Sequence, residues 1–319
     1  MTVNIYTPNK KLSASFIFIS ETICFAVFLI GLLAAIGWKF DILIFKNILP
    51  SLPVIAPNTA VALALSGFSL WLLQEKKIKS QWRFLAYSLS ALIAALGALT
   101  FIEYASGLNF GLENLIFKNA LGANDLPVRM SPQSAVLFCL LGASLLLINR
   151  QNKNGKRPSQ YIILAVGVVA LFSFFGFIHN VSSFYTIAPY KGMAAHTAAS
   201  FVLLFIAIFI SRPASGLMKN FSNAGLSGYV ARRLFLTLFV LMIFDILAMT
   251  GRSSGVYGQE IEAVIHVIFL VSAFIYLMFI GFSSLDKIQT IEEIDRAKTE
   301  FVSFVSHQLR NPLTAIPIA

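Results

Sequence analysis

Eight apolar runs dominate this sequence and leave it few folds to adopt. They cover roughly 14–37, 56–74, 84–105, 132–149, 161–181, 194–211, 234–250 and 261–284. Most approach the ~20 residues that a helix needs to cross a bilayer. Backbone groups in lipid must be satisfied within the segment, so each run is expected to be a helix. The chain is 57% hydrophobic and only 12% charged, about half the charged share of a soluble domain. The expected fold class is an all-α integral membrane protein with about eight transmembrane helices and a cytoplasmic helix after them.

The distribution of charge gives an orientation. The net charge is +10, which also suits a nucleic-acid binder, but the basic residues sit in short loops between apolar runs. With the N-terminus inside, the inner segments before the last run hold Lys10, Lys11, Lys76, Lys77, Lys79, Arg83, Arg150, Lys153, Lys156, Arg157, Arg212, Lys219, Arg232 and Arg233. The outer segments hold Lys39, Lys46, Lys118, Arg129, Lys191 and Arg252. This excess is the positive-inside signal, so both termini are expected in the cytoplasm and no nucleic-acid partner is expected. Lys10 and Lys11 precede the first run as in a signal peptide, but that run is too long and more follow, so it reads as an uncleaved first helix. Cys24 and Cys139 lie inside apolar runs and read as small core residues, with no disulfide framework or metal motif.

An internal repeat is visible in the second, fourth and sixth runs. They open with Pro57-Asn58-Thr59-Ala60, Pro132-Gln133-Ser134-Ala135 and Ala195-His196-Thr197-Ala198. Gly67 and Gly142 stand eight residues after Thr59 and Ser134, and Ser69 and Ser144 follow two later. A polar cap followed by small residues predicts closely packed helices, arranged as stacked two-helix units. Three segments carry a resemblance: Glu103-Tyr104-Ala105-Ser106-Gly107 with Gly111-Leu112-Glu113-Asn114-Leu115, then Arg129 to Ala135, then Gly192 to Ala198. Together they resemble membrane sensor regions found ahead of histidine kinases and diguanylate cyclases in bacteria. The resemblance spans most of 84–217 and implies a bacterial inner-membrane location, with no ligand attached to it.

After the last run the composition changes abruptly. Residues 286–300, DKIQTIEEIDRAKTE, are dense in charge and free of Pro and Gly. Ile288, Ile291, Ile294, Phe301, Val305 and Leu309 recur at helical spacing, which predicts a helix leaving the membrane with one apolar stripe. The boundary falls at 284/285: a sensor region over 1–284 and a signalling segment over 285–319.

The run from Phe301 to Ile316, FVSFVSHQLRNPLTAI, resembles the H-box of the histidine kinase dimerisation and phosphoacceptor domain. The family pattern is Phe, three residues, an aliphatic, Ser, His, usually Glu, then Leu, Arg, Thr or Asn, Pro, Leu. The resemblance implies a helical hairpin that pairs with a second copy into a four-helix bundle. It implies His307 as phosphoacceptor, with ATP and Mg used by an ATP-binding domain and a cytoplasmic response regulator as partner. Imidazole is mostly neutral at cytoplasmic pH and is a competent nucleophile. Arg310 has the geometry to hold a phosphate or acidic partner, and Pro312 removes a helix hydrogen bond just beyond the reactive turn. Two features depart from the family. Gln308 stands where an acid usually serves as general base, and it takes no proton. Asn311, four residues after His307, matches the position that orients a dephosphorylating water. The chain stops at Ala319, so the second hairpin helix and the ATP-binding domain are expected to be missing, and no ATP is expected to bind this chain alone.

Candidate sensing residues gather near the outer ends of the runs: Glu103, Tyr104, His179, His196, Asp245, Glu262 and His266. Ionisable groups within a membrane span mark function or pair to hold the bundle together. Glu262 lies one helical turn before His266, and Asp245 lies at similar depth in the preceding run. No pair of histidines has ligand spacing on one helix, so no metal is expected. Glu21 lies in the inner third of the first run. Two other classes compete: a transporter, which predicts discontinuous helices and a midplane site, and a non-catalytic receptor phosphorylated in trans.

Overall fold

The computed structural model describes residues 9–47, 52–74, 79–112, 129–187, 190 and 192–313, with side chains omitted for 284–287 and 307–313. Among them the chain is helical and contains no β-strand. The helices are α1 (Lys10–Lys39), α2 (Leu43–Lys46), α3 (Pro57–Gln74), α4 (Ser80–Ser106), α5 (Pro132–Leu146), α6 (Pro158–Ile178), α7 (Ala195–Ile210), α8 (Met218–Ser222), α9 (Leu226–Ser253) and α10 (Gln259–Leu313). Each of the eight apolar runs falls on one of them. By length and composition, α1, α4, α6, α9 and α10 are long and apolar enough to cross a membrane. The chain forms two compact units, divided between Ala224 and Gly225.

The first unit is a closed ring of six helices in the order α1, α3, α4, α5, α6, α7, with α7 returning to α1. It is built from three antiparallel pairs: α1 with α3, α4 with α5, and α6 with α7. Helices α3, α5 and α7 face inward and touch one another. Phe138 and Phe201 meet between α5 and α7 with ring centroids 4.7 Å apart. The longer partners α1, α4 and α6 turn outward and expose Phe18, Phe25, Phe84, Leu92, Val168 and Phe172. Large exposed apolar side chains on this scale suit lipid rather than water.

Glycine sets how close each pair comes. A Cβ on Gly31 of α1 would lie 2.3 Å from the backbone N of Ala64, and one on Gly67 of α3 would lie 2.6 Å from the carbonyl of Cys24. In the second pair, a Cβ on Gly97 would lie 2.5 Å from Ala135 O and Cys139 N, and one on Gly142 would lie 2.5 Å from Ala94 N. The third pair uses another solution. Phe205 of α7 occupies the register of Gly67 and Gly142, and its ring lies over Gly167 of α6. Backbone contact of this kind supplies dispersion where lipid offers no hydrophobic drive between helices.

The outer helices repeat as well. Buried positions on α1 are Ser20, Cys24, Val27, Gly31, Ala34 and Gly37; on α4 they are Ala86, Ser90, Ile93, Gly97, Thr100 and Glu103. Helix α6 buries Ser159, Ile163, Val166, Ala170, Ser173 and Gly176 at the same spacing, with Gln160 and Gly167 in addition. Four residues beyond each stripe the backbone turns left-handed, at Asp41 (φ 58°), Gly107 (φ 72°) and Asn180 (φ 54°). These residue types tolerate that region best. The seams between pairs repeat too: Ser69 Oγ donates to Ala86 O (2.9 Å), Ser144 Oγ to Ser159 O (3.0 Å), and Ser20 Oγ to Ala207 O (2.7 Å). The last bond closes the ring with donor and acceptor exchanged. The expected polar cap exists at α5, where Ser131 Oγ accepts from Ser134 N, while α7 starts without a side-chain cap.

The second unit is α9 packed against α10. Helix α10 has 55 residues, about 82 Å at 1.5 Å per residue.

Candidate functional site

A chain of polar contacts ties α9 to α10 where the two helices join. Gly255, at φ 73°, permits the tight turn between them, and Tyr257 folds back to donate from its hydroxyl to Ala248 O at 2.6 Å. This brings the end of α9 beside the first turns of α10. Arg252 Nη1 donates to Glu262 Oε2 at 2.9 Å, and Glu262 is buried. One turn later, His266 Nδ1 lies 3.0 Å from Glu262 O, and Nε2 lies 2.8 Å from Asp245 Oδ1. A carbonyl oxygen only accepts, so the contact with Glu262 O is a hydrogen bond when Nδ1 carries the hydrogen, and Nε2 faces the carboxylate. The Phe244 and Phe269 rings stack at 3.6 Å beside the pair. Further along the helices, Arg233 Nη1 donates to Tyr276 Oη at 2.9 Å. The spacing of Asp245, Glu262 and His266 was legible in the sequence; their partner Arg252 was not.

The other expected residues sit at one end of the six-helix ring, where α1, α4 and α6 finish. Glu103 takes the place that Gly37 and Gly176 hold in the other two repeats. It is 2% exposed; Oε1 accepts from Phe110 N at 2.6 Å, and Oε2 has no partner among the described residues. Tyr104 Oη donates to Met130 O at 2.8 Å, anchoring the strand of chain that leads into α5. Trp38 performs the same service in the first repeat, donating from Nε1 to Ile55 O at 2.9 Å. In the third repeat Phe177 stacks on Tyr185 at 3.9 Å, and Met193 N donates to Tyr185 O. Tyr104 is therefore part of a repeated anchor, which is sufficient reason for its presence. His179 ends α6 with its ring 6.1 Å from Phe175. His196 lies in the first turn of α7, with Nε2 buried and without a partner among the described residues. No group of three or more His, Cys, Asp or Glu among the described residues is disposed to hold a metal ion.

The H-box positions lie on the last turns of α10, which continues unbroken through Leu313. The side chains of His307, Gln308, Arg310, Asn311 and Pro312, and all of residues 314–319, lie outside the described part. Upstream, Ile288, Ile291, Ile294, Phe301 and Phe304 are exposed along the helix. No family model, curated protein or solved structure matches the chain.

Three arginines escaped attention as site residues. Arg83, Arg157 and Arg212 come from the start of α4, the start of α6 and the loop after α7 and serve in the sequence as topology signals, yet they line one cavity at the opposite end of the ring. Spacing along the chain carries no sign of that convergence.

Proposed function

We propose that this chain is the membrane part of a sensor histidine kinase in a two-component phosphorelay, with His307 as the phosphoacceptor. The observation that carries this reading is the unbroken match of residues 301–316 to the H-box pattern. Its setting at the end of α10, a helix continuous from Gln259 through Leu313, supports it. In this reading eight helices span the bacterial inner membrane with both termini in the cytoplasm. Helices α3, α5 and α7 have 18, 15 and 16 residues, about 27, 22 and 24 Å at 1.5 Å per residue, short of a ~30 Å hydrocarbon core. Their inward position accommodates that, because irregular backbone at membrane depth is tolerated where protein covers it.

The chemistry at His307 is an in-line displacement. An imidazole nitrogen attacks the γ-phosphorus of ATP, the bond to the bridging oxygen breaks, and ADP leaves. Positioning and charge neutralisation do most of the work in such transfers, with ATP and Mg brought by the ATP-binding domain. Gln308 leaves the imidazole proton to solvent or to another group, and Asn311 matches the family position that orients a water for dephosphorylating the response regulator. The phosphoryl group then passes to an aspartate of a response regulator. A second copy of the chain completes the dimer around the exposed apolar stripe of α10.

Signal transfer runs along α10. The Asp245–His266 and Arg252–Glu262 contacts fix the relative rotation of α9 and α10 at one end, and His307 lies 41 residues beyond His266, about 60 Å along the helix. A change in those contacts turns or slides the helix and alters access to His307. The transporter reading predicts interrupted helices, and the continuity of α1, α3 to α7, α9 and α10 favours the sensor reading over it. The test is trans-phosphorylation of the full chain in nanodiscs by a histidine kinase ATP-binding domain with radiolabelled ATP. Label on the wild type and none on His307→Ala is expected. Equal labelling of both removes His307 from the mechanism.

A further inference from the structure

The end of the ring where α1, α4 and α6 begin encloses a cavity of about 590 Å³, a size that takes a small organic ligand. Among the described residues its wall carries Arg83, Arg157 and Arg212 and no Asp or Glu. Folding draws these three from the first turn of α4, from the residue that caps the start of α6 and from the loop after α7. Arg212 is held in place: Nη2 donates to Leu73 O (2.6 Å) and Asn149 Oδ1 (2.9 Å), and Nη1 donates to Ser211 O (3.0 Å). Arg157 Nη1 donates to Ile148 O at 2.7 Å, and its Nε bonds Ser215 Oγ.

These contacts cap the C-terminal ends of α3, α5 and α7, and capping is the ordinary use of arginine there. Capping leaves much of the set over. Arg157 Nη2 donates to nothing among the described residues, and the Arg83 side chain is exposed and makes no hydrogen bond or ion pair among them. Helix dipoles do not neutralise the charge either. Three helices end at this face and three begin, so terminal partial charges of about ±0.5 each cancel to first order. Burial, and then the neighbouring Arg157 charge, draw Arg212 down to about 10, and burial lowers Arg157 as well. Three like charges around one opening repel unless an anion stands between them. The wall also holds acceptors. Gln74 is 7% exposed; its Nε2 donates to Ser20 Oγ, and its Oε1 has no partner among the described residues. Ser13 Oγ is likewise buried and unpartnered. A bare anion would satisfy the arginines and leave Gln74 Oε1 bare, whereas a ligand with a hydroxyl beside its phosphate satisfies both.

We propose that this cavity is a binding site for a phosphate ester that also presents a hydroxyl group, held by Arg83, Arg157 and Arg212 with Gln74 accepting from the hydroxyl. Two sources share that chemistry, the headgroup of phosphatidylglycerol and a soluble compound such as glycerol phosphate. The proposal does not depend on the role of His307.

The full chain in nanodiscs made only of phosphatidylcholine is titrated with glycerol phosphate and with inorganic phosphate by calorimetry. In parallel, nanodiscs of mixed phosphatidylcholine and phosphatidylglycerol are dissociated and the lipids retained by the protein are identified by native mass spectrometry. Saturable glycerol phosphate binding, tighter than inorganic phosphate, assigns a soluble ligand. Selective retention of phosphatidylglycerol assigns the headgroup. Either result must weaken about tenfold in Arg83→Gln and in Arg157→Gln, the expected loss for one charge-assisted hydrogen bond. Arg83 makes no side-chain hydrogen bond or ion pair among the described residues, so Arg83→Gln reports on binding with little effect on the fold. Absence of both kinds of binding overturns the proposal, as does binding that survives Arg83→Gln and Arg157→Gln unchanged.

Discussion

Rotation of α10 is the most direct handle on signal transfer. The helix advances about 1.5 Å and turns about 100° per residue. Leu285 and His307 are 22 residues apart, about 33 Å along the axis. Alanines inserted between Gln289 and Thr290 therefore rotate His307 against the membrane helices by a known amount. Two residues turn it by about 200°, four by about 40° net, and seven by about 20° in the opposite sense. Alanine keeps the helix intact, so only phase and length change. Four glycines give the same length as four alanines but cost about 4 kcal/mol in helix propensity, more than the ~1–3 kcal/mol that typically couples two sites. The assay is the extent of His307 labelling by an ATP-binding domain supplied in trans, for the chain in nanodiscs. Labelling should follow phase: near wild type for seven alanines, furthest from it for two, and intermediate for four. The four-glycine variant should respond to nothing done at Asp245 or His266. Labelling that is indifferent to inserted length, or equal for four glycines and four alanines, refutes transmission through a continuous helix.

Other consequences concern the ring and the α9–α10 contacts. Gly97→Ala sets a Cβ 2.5 Å from two backbone atoms of α5, so the pair must part and stability should fall by about 1–3 kcal/mol; Gly281→Ala meets open space and should be neutral or stabilising in the same thermal unfolding assay in detergent. A double-mutant cycle of Asp245→Asn and His266→Gln, read by hydrogen exchange at the start of α10, should show a coupling of about 1–3 kcal/mol, and additive effects would mean the contact has no energetic weight. The hydrogen bond from Lys46, followed by its charge, holds the Asp41 carboxyl below its usual value. A folded-state value below the unfolded one stabilises above about pH 4 and is lost as pH falls. Acid unfolding of wild type and Asp41→Asn should accordingly converge at low pH and diverge toward neutrality.

The eight apolar runs were readable because a helix covered by lipid or by protein carries few charges along its length, and each run does fall on a helix. The repeat in α3, α5 and α7 was readable for a related reason. Those helices are covered by protein on most sides, so the small and polar residues that shape their contacts, such as Thr59, Ser134, Gly67 and Gly142, stand close together in the sequence. The same repeat in α1, α4 and α6 was hidden. There the buried stripe from Ser20 to Gly37, Ala86 to Glu103 and Ser159 to Gly176 alternates with lipid-facing residues that need only be apolar, and they dilute the pattern. Ser131 behaves as the expected cap, but α7 starts after Ala194 with no side-chain cap at all. The pairing of Asp245 with His266 followed from depth, whereas the Glu262 carboxylate, one turn before His266, pairs with Arg252 and offers His266 only its main-chain oxygen. Arg252 lies in the turn, where distance along the chain says little about distance in space, and Arg83, Arg157 and Arg212 meet only because the ring closes.

The central claim is that His307 carries the phosphoryl group, and the chemical nature of the label tests it most directly. The chain in nanodiscs is labelled in trans, then held in acid and in base, and the labelled residue is located by fragmentation. A phosphoramidate on His307 that is lost in acid, survives base and disappears in His307→Ala is the predicted result. An acid-stable label on Ser303 or Ser306, or no label from an ATP-binding domain that phosphorylates its own acceptor helix, would contradict it.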